Sequence, residues 1–241
     1  MQIEGLDEKL LPRHVGIIMD GNGRWARKQG KKRVLGHQEG SRVLKKIVKS
    51  VFSLKIPFLS LYVFSVDNWK REMEETSFLM KLIGKFYQEE FSDFKKHGIR
   101  VIHSGIYDNL PKKVIQILKN IEEETVHNTA GTLNLCLNYG GRLEIVEGIK
   151  KLFQDIKTGK VKEEEIDSKF FSNYLFHPEV PDVDLMIRTS GELRLSDFLL
   201  WKNAYSEFWF TDTLWPDFNE EELFKALKDY QNRQRRFGDA K

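Results

Sequence analysis

The chain has 241 residues, 40% of them hydrophobic and 31% charged, with a formal net charge of +3. That length suits one sizeable α/β domain spanning residues 1–241 and leaves two cramped, while the slight charge argues against nucleic acid as a partner. The lone Cys136 excludes an internal disulfide and fits a reducing compartment, no stretch reaches the roughly 20 apolar residues of a membrane span, and the acid-bearing segment 1–9 reads against a signal peptide.

Residues 1–13, with Pro12 near their end, read as a lead-in. From His14 an apolar, β-branched run predicts a buried strand that stops at Asp20. Gly21 and Gly23 predict a tight, open turn whose backbone N–H groups can approach an anion. Asp20 supplies a carboxylate for a hard cation, and Arg24 a planar fork for phosphate oxygens. Asp-Gly alone is more simply a strand-to-helix turn with a solvated Asp. The crowding of Asp, Gly, Asn, Gly, Arg and Trp into positions 20–25 favours a phosphate site.

A basic run follows, Arg27 to Arg33; its lysines read as a solvated face, whereas Arg33 and His37 lie near the first turn in sequence. Apolar residues at helical spacing predict a helix over 38–54. A second strand over 58–64 ends in the polar stretch Ser65 to Arg71. A long, Phe-rich helix then runs through 78–94 to a stop before Gly98. Core packing explains most of its aromatics, and a lipid-lined cavity would draw on the same residues. A strand over 99–102, a helix opening at Pro111, a strand over 132–137 and a helix to about 156 come next. A more charged helix is expected over 163–175, a loop at Pro178 and Pro181, and a strand over 183–187. A last strand is expected over 207–211 and a C-terminal helix over about 219–235, within the terminal segment 219–241.

Strands alternating with helices predict an α/β fold with a mainly parallel sheet of about six strands, covered on both faces. Ligands in such sheets bind outside the carboxyl ends of the strands. Four polar motifs stand at those ends: 20–24, 65–71, 138–142 and 188–196. Together they predict a site for more than one phosphate group. There is no Gly-x-Ser-x-Gly elbow and no Gly-x-x-x-x-Gly-Lys loop. An aspartyl-phosphate phosphatase would need a second carboxylate where Asn22 stands.

The motifs His14 to Trp25, Gly36-His37, Phe64-Ser65 with Asn68-Trp69, Asn138 to Arg142, Arg188 to Glu192 and Leu214 to Phe218 resemble those of the cis-prenyltransferases. Within that family the chain is most similar to the bacterial undecaprenyl diphosphate synthases, over nearly its whole length. The resemblance implies addition of isopentenyl diphosphate units in cis geometry to farnesyl diphosphate, with magnesium. It also implies a homodimer, an apolar tunnel for the growing chain, and a cytoplasmic protein touching at most the inner face of the membrane, where product leaves.

By position, Asp20 would be the magnesium-linked catalytic carboxylate and Glu207 a second one. Gly21, Asn22, Gly23, Arg24, Trp25, Arg33, His37 and Arg71 would hold the allylic diphosphate and its first isoprene. Arg188, Arg194, Leu195 and Ser196 would hold isopentenyl diphosphate. Ser65, Val66, Asp67, Asn68 and Trp69 would form a loop over the reacting carbons. The family assigns Asn68 as proton acceptor; a neutral amide is a poor base, so it suits an orienting role with a diphosphate oxygen taking the proton. Arg236-Phe237-Gly238 matches the family's Arg-x-Gly tail, which implies reach into a neighbouring subunit. Departures from the pattern fall at 103–107, Val66-Asp67, Leu193 and Asp197. The competing readings are a non-catalytic subunit, which would lack the first Asp and the arginines this chain keeps, and a magnesium-dependent phosphatase.

Overall fold

Six runs dominated by Val, Ile, Leu and Phe form the sheet: β1 (His14–Ile18), β2 (Phe58–Ser65), β3 (Ile99–Ser104), β4 (Gly131–Tyr139), β5 (Leu185–Arg188) and β6 (Glu207–Phe210). This computed structural model describes residues 5–236, the side chain of Phe91 excepted. The strand order is β3-β4-β2-β1-β5-β6 and every pairing is parallel. Ile18 therefore stands beside Arg188, and Ser65 beside Tyr139, so the carboxyl ends share one edge.

The connections are α1 (Asn22–Lys28), α2 (Arg33–Ser53), α3 (Met73–Lys96), α4 (Lys112–Thr125), α5 (Gly141–Lys157), α6 (Ser168–Phe171) and α7 (Glu220–Gln231). Val15 and Ile17 join the main core with side chains from α2, α3, α4 and α7. Their alternate, Ile18, packs instead with Cys136, Tyr139, Met186, Phe198 and Leu199, so the strand period of two separates two cores. No helix is long and apolar enough to cross a membrane among the described residues.

A polar ladder crosses the sheet. Asn134 donates to Ser60 Oγ at 3.0 Å, and Ser104 donates to Asn134 Oδ1 at 2.8 Å. His14 Nδ1 donates to the Pro181 carbonyl, which leaves Nε2 to accept from the Ser60 hydroxyl, both at 2.8 Å. Burial pushes the His14 pKa down to about 4, so the ring stays neutral in this ladder.

Helix α3 starts earlier, at Met73, and α7 ends earlier, at Gln231, than the spacing-based reading has them, and three further elements depart from it. The turn after Asp20 continues into α1, a short helix without an apolar face. Helix α2 begins at Arg33, earlier than its apolar spacing predicts, because its first turns pack on α1 through Gly36 and Gly40 rather than through apolar side chains. A Cβ at those glycines would meet Asn22 O and Oδ1 at 2.0 and 2.2 Å, so they let α1 cross α2 closely. The charged segment 163–175 is two 3-10 turns around the short α6. Asp167 is extended and accepts from Phe170 N–H at 2.7 Å, so it starts a new helix rather than continuing one.

Candidate active site

At the end of β1 the chain turns at Gly21, whose φ of +105° suits only glycine; a Cβ there would lie 3.0 Å from Leu214 and Ser190 side chains. The turn is pinned from both sides. The Thr189 hydroxyl donates to Asp20 O at 2.7 Å, and Trp215 N–H reaches the same oxygen at 3.0 Å. These anchors aim the Asp20 carboxylate. Its Oδ1 accepts from Gly21 N–H at 2.7 Å, and its Oδ2 from Arg188 Nη2 at 3.0 Å, with Arg24 at 3.4 Å. Burial opposes its charge, but the Arg188 hydrogen bond and charge, then Gly21 and Arg24, prevail and hold it below the ordinary range.

Arg188 is the most buried cation here, with its side chain 4% exposed. It also donates to Ser196 Oγ at 2.8 Å and to the Arg194 carbonyl. Its Nε is buried without a hydrogen-bond partner. The loop that follows carries Ser190, Ser196, Asp197 and Leu199 in left-handed conformations, held there by its packing.

Two groups of cations flank Asp20. On one side Glu75 receives Arg33 at 3.1 Å, His37 at 3.2 Å and Arg71 at 3.0 Å. The His37 hydrogen bond foremost, then, against burial, the Arg33 and Arg71 charges keep Glu75 below the usual carboxylate range. On the other side Glu192 receives Arg24 at 3.1 Å and Arg194 at 2.5 Å. Arg24 also donates to Ser190 O at 2.8 Å. Glu75 and Glu192 were not singled out by the sequence reading. Glu75 sits in the acidic run 72–75, which looks like a solvated first helical turn; only its spacing of four from Arg71 hinted at a pair.

A cavity of about 280 Å³ opens beside Asp20. Its polar end is lined by Asp20, Gly21, Asn22, Gly23, Arg33, His37, Ser65, Asn68, Arg71, Arg188 and Ser196. Its apolar end, between α2 and α3, is lined by Leu44, Leu79, Leu82, Ile83, Phe86 and Tyr87. Asn68 Oδ1 is held by Ser65 N–H at 3.2 Å, which leaves its amide N–H donors for the cavity.

Other predicted residues stand outside the cavity lining. Trp25 donates to Asp217 at 2.7 Å, and Asp67 pairs outward with Lys70. Val66 packs against Gly140, and Leu195 packs at the second core. Trp69 lies edge-on to Phe64 and donates to Asn138 Oδ1 at 2.8 Å. The motif 138–142 therefore props the Trp69 loop rather than lining the cavity, and Arg142 is 89% exposed. Arg194 is 60% exposed beside the cavity. Arg236 is exposed, and Phe237 and Gly238 lie outside the described residues.

Glu207 is at the other end of the sheet. It pairs with Leu185 at the start of β5, three registers or about 10 Å below Arg188, and binds Arg233 at 2.9 Å. Within one chain it does not join Asp20. No three carboxylate, histidine or cysteine side chains gather as a metal site among the described residues. A lone ionised carboxylate such as Asp20 suits a magnesium ion that brings diphosphate oxygens as further ligands.

Comparison with known proteins agrees with this geometry. A family model described as "Putative undecaprenyl diphosphate synthase" matches residues 18–238. An isoprenyl transferase of Clostridium perfringens is 48% identical over 98% of this chain and 93% of its own. The crystal structure of lavandulyl diphosphate synthase from Lavandula x intermedia, in complex with dimethylallyl diphosphate, superposes with a TM-score of 0.93 at 33% identity, covering 96% of this chain and 100% of that one. A probable undecaprenyl diphosphate synthase from Campylobacter jejuni gives a TM-score of 0.79 at 31% identity, covering 95% and 99%. The chain belongs to the cis-prenyltransferases, the family of the undecaprenyl diphosphate synthases.

Proposed function

We propose that the protein condenses isopentenyl diphosphate units in cis geometry onto farnesyl diphosphate, giving a long-chain polyprenyl diphosphate. Undecaprenyl diphosphate, the lipid carrier precursor of cell-wall synthesis, is the product the family resemblance favours. The observation that carries this reading is a pair of cation clusters flanking one carboxylate at the mouth of an apolar cavity.

In this reading Arg33, His37 and Arg71 receive the allylic diphosphate, with Gly21, Asn22 and Gly23 at its edge. Arg24, Arg188, Arg194 and Ser196 receive the diphosphate of the incoming unit. As the allylic C–O bond breaks, negative charge grows on the leaving oxygens, and fixed arginine donors stabilise it without reorganising. Holding both diphosphates also removes most of the entropy of bringing two substrates together. Asp20 would hold magnesium, which would supply further charge neutralisation at the diphosphate. Asn68 orients the incoming unit through its amide donors, while a diphosphate oxygen takes the proton lost from its second carbon. Full activity of Asn68→Asp with an unchanged pH profile would overturn that role. The growing chain runs between α2 and α3, past Leu82 and Phe86, in an apolar tunnel.

A homodimer is supported by an unpartnered stripe on α5: Val146, Ile149, Phe153 and Ile156 are 47%, 52%, 65% and 37% exposed at helical spacing. Phe153→Glu is expected to shift the protein to monomer in analytical ultracentrifugation. The function is tested by incubation with farnesyl diphosphate and labelled isopentenyl diphosphate, with and without magnesium. A long extractable lipid formed only with magnesium is expected, and its chromatographic size gives the chain length. No such lipid with magnesium present would overturn the reading.

A further inference from the structure

A second groove, about 510 Å³ in volume, lies between α3 and α4 on the far side of α3 from Asp20. Its floor is apolar, from Met80 on α3 and Val114 and Ile117 on α4. Gly84 keeps it open: a Cβ there would meet only Ile117, at 3.7 Å. The rim is basic, with Lys81, Lys85 and Lys113 all exposed. Lys85 reaches Glu89 at 3.5 Å, while Lys81 and Lys113 have no carboxylate partner among the described residues.

The same face of α3 continues outward. Met73, Ser77, Met80 and Gly84 follow at spacings of four, three and four, and Met73, in the first turn, is 82% exposed. An apolar floor, a bare methionine further along the same helix face and cations on the rim match a molecule with an apolar chain and an anionic head. A neutral protein ridge would fill the floor and leave the lysines without counter-charge.

We propose that this groove is a membrane-docking surface that takes an anionic phospholipid, its acyl chain along Met80, Val114 and Ile117 and its phosphate on Lys81, Lys85 and Lys113. Trp69 borders the groove, and the neighbouring Asn68 of the same loop lines the catalytic cavity. The purpose of docking rests on the reading of the product as a lipid; the contact itself does not.

The test is co-sedimentation of the full chain with vesicles of phosphatidylcholine alone and of phosphatidylcholine with phosphatidylglycerol. Binding to the anionic vesicles, weakened by salt, is expected. Each lysine neutralised should weaken partitioning about five-fold. The double variant Lys81→Gln/Lys113→Gln should thus lose roughly 25-fold, Lys81→Arg/Lys113→Arg should keep binding, and Lys157→Gln/Lys169→Gln, elsewhere on the surface, should not change it. Met73→Gln should weaken binding without altering its salt dependence. Equal binding to both vesicles, an unchanged Lys81→Gln/Lys113→Gln variant, or binding of a soluble alkyl phosphate without vesicle binding would overturn the proposal. A chain that binds vesicles yet makes no polyprenyl product would sink the functional reading and leave this one standing.

Discussion

The two cation clusters beside Asp20 are built in different ways. Around Glu75, whose side chain is 10% exposed, α2 contributes Arg33 and His37, and the loop before α3 contributes Arg71. Around Glu192, which is 28% exposed, Arg24 comes from α1, and Arg194, 60% exposed, comes from the same loop as its partner. A carboxylate shielded from water holds its cations in place, whereas an exposed pair gains little and is screened by salt. In the proposed function the Glu75 side would be a cradle made before substrate arrives, and the Glu192 side would be remade as a diphosphate replaces its carboxylate.

Asp20 stands between the two and should separate chemistry from scaffolding most sharply. Asp20→Ala is expected to cost at least about a thousand-fold in kcat, the scale of losing a preorganised electrostatic group. Its Tm should fall only modestly, because buried Arg188 loses a charged partner but keeps Ser196 Oγ and the Arg194 carbonyl. A collapse in Tm would make Asp20 structural instead.

The next effect tests the buried hub. Glu75→Gln leaves Arg33, Arg71 and His37 without their carboxylate and should cost about 2 kcal/mol of stability, as for hydrogen bonds to charged groups. The KM for farnesyl diphosphate should rise about ten-fold, on the order of one lost positioning contact. An unchanged or lowered KM would make Glu75 a competitor of the diphosphate, not its scaffold.

Acid separates these carboxylates from the buried histidines. His14 and His103 are both held by burial at about 4, below their ordinary 6.5. They favour the native state above pH 6.5 and lose that contribution as pH falls towards 4, by at most about 1.4 kcal/mol per unit each. Glu75 and Asp20 are also lowered, so their contribution is present above the usual carboxylate range and is lost only as pH falls through their lowered values. A Tm profile of Glu75→Gln should therefore keep the limb between pH 6.5 and 4 and flatten below it. Smallest is the exposed side. Arg194→Gln should raise the KM for isopentenyl diphosphate with no change in Tm, and Glu192→Gln should shift stability by under about 0.5 kcal/mol. A Tm loss in Arg194→Gln as large as in Glu75→Gln would erase the contrast between the clusters.

Much of this was legible in the chain. The β-branched runs alternating with amphipathic helices imply a parallel sheet, and a parallel sheet brings segments 20–24, 65–71 and 188–196 to one edge. The same logic bears on Glu207. As the first residue of a strand it belongs at the amino edge, where the structure has it on Arg233, and family resemblance alone had joined it to Asp20. The first turns of α2 carry no apolar face to announce them, because Gly36 and Gly40 pack there against Asn22 of α1, a contact that local spacing does not encode.

Local pattern determined the strands, most of the helices and the carboxylate at the end of β1, because periodicity and turn chemistry act between near neighbours. Tertiary structure decided which charges meet. Arg33 and Glu75 are far apart in the chain, as are Arg24 and Glu192, and an acidic residue in a helical first turn looks the same whether it faces water or two arginines and a histidine. Burial separates the two cases, and burial is a property of the packed sheet and helices rather than of any segment.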